Sequence, residues 1–141
     1  MEIRKLISFT LLTFLSSSCV SNEYSFKDDT ERVKFKNFTL AVCMNMAYGE
    51  SSDTLLNEAS LAANGYREFS NIDLNAYDAS RNLISKWLNK DYTSKSGGQI
   101  NLMKCIDLYN SPDLENIFSK YDPCKSKESW LDQNEYIKYC A

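Results

Sequence analysis

The sequence predicts an all-α fold, a compact, disulfide-stapled bundle of about five or six helices. Only four Gly and two Pro punctuate its 141 residues, too few breakers for a turn-rich β-sandwich. Apolar residues recur at helical spacing in successive segments, and no alternation of period two persists long enough to argue for a sheet. The composition, 43% apolar and 25% charged, is that of one ordinary globular domain.

The first segment stands apart from that domain. Met1 to Lys5 is basic, Leu6 to Leu15 is mostly apolar, and Ser16-Ser17-Ser18-Cys19 follows. This order reads as an export signal over residues 1–18,. Its apolar run is too short for a bilayer span, which takes about 20 residues. Small residues directly before Cys19 resemble a bacterial lipobox, which would make Cys19 a lipidation site and anchor the chain to the outer membrane. Ser16, three before the Cys, stands where that motif prefers Leu. Residues 19–36 then read as a tether, and residues 37–141 as the helical domain.

A first helix is expected from Asp29 or Thr30 to Gly49, with Leu40, Cys43, Met44, Ala47 and Tyr48 as its buried stripe,. Asp53 is a candidate cap for a second, with Leu55, Ala59, Ala62, Ala63 and Tyr66 on one face,. Asp73 caps a third, whose face is Tyr77, Ser80, Ile84, Trp87 and Leu88. The polar stretch Asn89 to Gly98 breaks the pattern and holds the only Gly pair. A fourth helix carries Leu102, Cys105, Ile106 and Tyr109. Ser111-Pro112-Asp113 opens a fifth with a cap, a proline at the first helical position and an acid at the helix N-terminus,. Leu114, Ile117, Phe118 and Tyr121 line it, Asp122-Pro123 ends it, and a further short helix is expected around Trp130 to Tyr139.

Cysteine counting supplies the staples. Setting Cys19 aside leaves Cys43, Cys105, Cys124 and Cys140. An even count in an exported chain reads as two disulfides. Three pairings are possible, and Cys43–Cys105 with Cys124–Cys140 is favoured because the first pair sits on amphipathic segments and the second brackets the tail. No Cys-x-x-Cys pair occurs, so no metal site is expected.

The same residues narrow the chemistry. The chain has no His, so a Ser-His or Cys-His nucleophile pair cannot be assembled within it. Its formal charge of −3 gives no footprint for nucleic acid. Asp28-Asp29 and Asp113 with Glu115 read as caps and helix-dipole partners rather than acid–base pairs. No phosphate-cradling loop follows a strand, and no cofactor is expected. Lys27, Arg32, Lys34 and Lys36 with Phe26, Phe35 and Phe38 read as a solvated basic face over core anchors. Nine Tyr lean weakly toward a binding module, since Tyr is a favoured interface anchor.

Several blocks resemble a known family. They are Leu40-Ala41-Val42-Cys43-Met44 with Ala47-Tyr48, then Ala62-Ala63, Gly65-Tyr66, Glu68-Phe69 and Ala76-Tyr77. The most specific run is Tyr92-Thr93-Ser94-Lys95, Leu102 to Tyr109, and Ser111-Pro112-Asp113-Leu114. Over roughly Phe38 to Tyr121 the chain resembles the amidase immunity proteins of the bacterial type VI secretion system, the all-helical family paired with the fourth amidase effector class. The resemblance implies a periplasmic, non-enzymatic homodimer. Such a protein binds an incoming peptidoglycan amidase and occludes its active site through a protruding loop, assisted by a helix of the second subunit. Cys19 and the tail beyond Asp122, with Cys124 and Cys140, depart from the family pattern.

An amidase cleft is a groove with a nucleophile and oxyanion donors. Under the resemblance, the loop Tyr92 to Gln99 is the segment expected to enter it. Tyr92 would anchor, Ser94, Lys95, Ser96 and Gln99 would make polar contacts, and Gly97 and Gly98 would allow close backbone approach. The alternative is a structural cell-envelope lipoprotein without a toxin partner.

Overall fold

Residues 24–125 are described by the computed structural model. A 3-10 turn, Ser25–Asp28, leads into five helices: α1 Glu31–Tyr48, α2 Asp53–Glu68, α3 Leu74–Leu88, α4 Asn101–Tyr109 and α5 Pro112–Tyr121. The expected signal, Cys19, Cys140 and the helix around Trp130 to Tyr139 fall outside the described residues.

Four of the five helices start where a side chain can accept a free first-turn amide. Thr30 accepts from Val33, Ser52 from Leu55, Asp73 from Asn75 and Ser111 from Leu114. Ser52, not Asp53, therefore caps α2, and Asp53 sits one position inside it. Ile100 precedes α4 without a side-chain cap.

The central helix is α1, which packs against all four others. It pairs antiparallel with α2: Glu31 meets Ser70 beyond the end of α2, and the Asn45 amide donates to the Leu56 carbonyl near its start. Gly49 makes the tight exit possible. A Cβ there would stand 2.7 Å from the Asn45 carbonyl oxygen and 2.9 Å from Leu56 Cδ1. The core holds Phe35, Phe38, Val42 and Cys43 of α1, Ala63 of α2, and Ala76, Tyr77, Ile84 and Trp87 of α3. Cys105 and Leu108 of α4 and Leu114 and Phe118 of α5 close it. The Phe38 and Tyr77 rings meet edge to face at 4.5 Å,.

Cys43 and Cys105 form the expected disulfide, joining α1 to α4 across 62 positions. Cys124 is also disulfide-bonded, and its partner is not among the described residues.

Four sequence expectations shift. The buried face of α1 is Glu31, Lys34, Phe35, Phe38, Thr39, Val42 and Cys43, turned from the stripe read through Leu40, Ala47 and Tyr48. Residues ahead of 37 belong to the packed body: α1 starts at Glu31, and Phe26 stacks edge-on against Tyr66 and Phe69. On α4 the inward residues are Lys104, Cys105 and Leu108, while Leu102 and Ile106 are each 45% exposed. Ala62 likewise faces solvent, and Ala59 and Ala63 hold the α2 contact.

The basic face is also revised. Lys34 is buried beside Glu31, with 3.5 Å between Nζ and Oε1. The other Glu31 oxygen accepts from the Ser70 hydroxyl and the Asn71 amide. This cluster joins the start of α1 to the α2–α3 connection. Outside the core, Arg32 and Glu115 pair at 2.9 Å on the surface, an exposed contact worth at most about 1 kcal/mol.

Candidate functional site

The segment between α3 and α4 is built as a short hairpin. Its stem is a single antiparallel bridge between Thr93 and Gln99, flanked by the Ile100 amide donating to the Tyr92 carbonyl at 3.0 Å. Inside the stem, the Ser94 amide donates to Gly98 O and the Gly97 amide to Ser94 O. Lys95 and Ser96 thus form the tip of a turn. Both keep negative φ, and Gly97 alone takes the left-handed value of 87°. A three- to five-residue hairpin loop that closes through a left-handed residue demands glycine there.

Side chains reinforce this backbone. Ser94 Oγ accepts from the Gly98 amide at 3.0 Å and lies 2.8 Å from Ser96 Oγ. The Thr93 hydroxyl donates to Asp91 at 2.6 Å, bracing the base. The tip is ordered by bonds within a few residues, so little conformational freedom is left to lose on binding.

One residue of α4, Lys104, holds the hairpin from below. Lys104, 3% exposed, donates from its ammonium to the Leu88 carbonyl at 2.8 Å and to Gln99 Oε1 at 3.0 Å. Leu88 is the last residue of α3, where unsatisfied carbonyls and the helix dipole favour a cation. On the other strand, the Asp107 carboxylate beside the Tyr92 hydroxyl raises the Tyr92 pKa above its usual value. Lys104 and Asp107 are three apart, so they share one side of α4.

The sequence-nominated residues fall into two sets. Lys95, Ser96, Gly97, Gly98 and Gln99 are exposed, and Lys95 carries the only charge between Ser94 and Ile100. Tyr92 and Ser94 are partly buried. Tyr92 packs against the core and forms part of the hairpin stem. Gln99 turns its carbonyl oxygen inward to Lys104. Sequence reading passed over Lys104 and Asp107. Their position three apart on α4, just past the loop, was the available signal.

Beside the hairpin base, α4 exposes Leu102, Met103 and Ile106. A separate cleft of about 210 Å³ lies between α1, α2 and α3, lined in part by Asn45, Ser60, Asn64 and Arg81. The hairpin offers outward backbone groups and one lysine on a rigid base.

No curated protein matches the chain. Residues 33–118, running from the first turn of α1 through the hairpin into α5, match the family model described as type VI secretion system (T6SS) amidase immunity protein, Tai4. That match covers most of the described bundle and contains the whole hairpin, and the chain therefore belongs to the Tai4 family of T6SS amidase immunity proteins.

Proposed function

We propose that the protein binds a T6SS peptidoglycan amidase in the periplasm and blocks its active site by inserting the Tyr92–Gln99 hairpin into the catalytic groove. The observation that carries this reading is the hairpin itself, a pre-ordered projection with Lys95 at its tip, held on a disulfide-linked helix. A substrate cleft that accepts an extended peptide stem also accepts a narrow turn with exposed backbone groups. Pre-ordering lowers the cost of binding. The protein itself performs no chemistry in this scheme.

The working unit is a homodimer, with a helix of the second subunit assisting, as the family resemblance implies. Export by residues 1–18 and lipidation of Cys19 would hold it at the outer membrane, in the compartment where the amidase attacks.

The test is calorimetric titration of the mature, oxidised protein into the amidase encoded beside it, with sacculus digestion followed in parallel. Submicromolar binding that abolishes digestion supports the reading. Lys95→Glu combined with Gly97→Trp should weaken inhibition at least tenfold while the helical circular dichroism stays unchanged. Unaltered affinity in that variant would place the inhibitory surface elsewhere.

A further inference from the structure

We infer that Lys104 is a positioning residue for the inhibitory hairpin: its buried ammonium fixes the second hairpin strand to the C-terminal end of α3. The inference rests on the reading of Tyr92–Gln99 as the inhibitory element. It concerns how that element is aimed, not what it touches.

The geometry is specific. A lysine side chain is rarely buried unless its charge is paired. Lys104 is 3% exposed, and its two acceptors come from two different elements. Leu88 O belongs to the last turn of α3, and Gln99 Oε1 belongs to the stem bridge. The ammonium is therefore the point where α3, α4 and the hairpin are joined. A surface lysine of the same sequence position would join nothing.

Tyr92, opposite on the first strand, packs against the core. The second strand has its polar connection to α4 through Lys104. A hairpin with a single bridge is marginal on its own. Held at both strands it has a fixed direction. Held at Tyr92 alone it can swing about that point. Cys105, adjacent to Lys104, is covalently joined to α1, so the base to which the hairpin is tied does not move with it.

A positioning role separates from a general structural one by where the loosening appears. In the full mature protein, Lys104→Met should speed amide exchange at Ser94, Gly97, Gly98 and Ile100 at least tenfold, with core amides of α1 and α3 unchanged. Inhibition of the adjacent-gene amidase should weaken at least tenfold. Gln99→Leu, at an exposed site, severs the same tie without touching the core and carries the test if Lys104→Met fails to fold. Gln99→Glu keeps the acceptor and should retain hairpin protection, where Gln99→Leu loses it.

Wild-type exchange rates in the hairpin of Lys104→Met and Gln99→Leu would overturn the inference. So would faster hairpin exchange with unchanged inhibition. If Lys95→Glu with Gly97→Trp leaves inhibition intact, the hairpin is not the inhibitory element. That failure belongs to the underlying reading, and the exchange data on the free protein still show separately whether the tie exists.

Discussion

The Glu31 carboxylate accepts the Asn71 backbone amide at 2.8 Å across 40 positions of sequence. The same oxygen takes the Ser70 hydroxyl at 2.7 Å, and Glu31 is 1% exposed. One first-turn side chain of α1 therefore ties down the connection between α2 and α3. Glu31→Ala leaves the part-buried Ser70 and Asn71 donors without their acceptor and removes a neighbour of the Lys34 charge. Breaking a buried charged pair typically costs about 3 to 5 kcal/mol. The loss should appear as a lower urea midpoint with an unchanged slope, and Glu31→Gln should cost less because it keeps one oxygen.

The Cys43–Cys105 bond closes a ring across 62 positions. In the chain-entropy model a ring of that size contributes about 4 kcal/mol. Replacing both cysteines by alanine should lower the unfolding free energy by about that amount. Reduction of the wild type should move its denaturation curve in the same direction. A change under about 1 kcal/mol would mean that the unfolded chain is already constrained there.

The two hairpin glycines should not respond alike. Gly97 holds φ at 87° with open space around its α-carbon, so Gly97→Ala meets backbone strain of about 1 to 2 kcal/mol. Gly98 has no such backbone, and a Cβ there would lie 3.6 Å from Ser94 Oγ, an ordinary contact. Inhibition constants for the two single variants should therefore differ, with Gly97→Ala weaker by about tenfold and Gly98→Ala close to wild type.

Burial pushes the Tyr77 phenol up to about 12, and the nearby Glu31 charge adds to the effect. Its hydroxyl lies near Ser70, whose proton goes to Glu31, and it has no well-formed hydrogen bond. Between pH 10 and about 12 the unfolded chain releases this proton while the folded chain keeps it. The folded state then binds more protons, so stability falls as pH rises through that window and is fully present below it. Tyr77→Phe should flatten this alkaline loss. At pH 7 it should be neutral or stabilising by up to about 1 kcal/mol, since it removes an unpaired buried hydroxyl. Melting temperatures of the two proteins from pH 7 to 12 make the comparison.

The helices were legible in the sequence because caps and periodicity agree. Asp73 and Ser111-Pro112 mark α3 and α5, whose buried faces are Tyr77, Ser80, Ile84 and Trp87, and Leu114 and Phe118. Facing was harder where apolar residues encircle a helix. From Leu40 to Tyr48 only Asn45 is strongly polar, so no side of α1 is marked, and its deep face starts more than two turns earlier with Glu31, Lys34 and Phe35,. On α4, Leu102, Met103 and Ile106 compete with Cys105 and Leu108 for the core. The second set wins because the disulfide fixes Cys105 inward and Lys104 finds carbonyl partners there. The hairpin position was visible as the polar Gly-Gly stretch. Its footing was not, because a buried lysine looks in sequence like any other charge on a helix surface.

The Cys43–Cys105 bond has one more consequence. Lys95, at the exposed tip, lies between the two bridged cysteines in the chain. A protease that severs the backbone after Lys95 therefore creates two fragments but not two molecules. The nicked protein should migrate as one species without reductant and as two with it. An amidase would still face both halves of the cut tip, carried on a body that the break does not release.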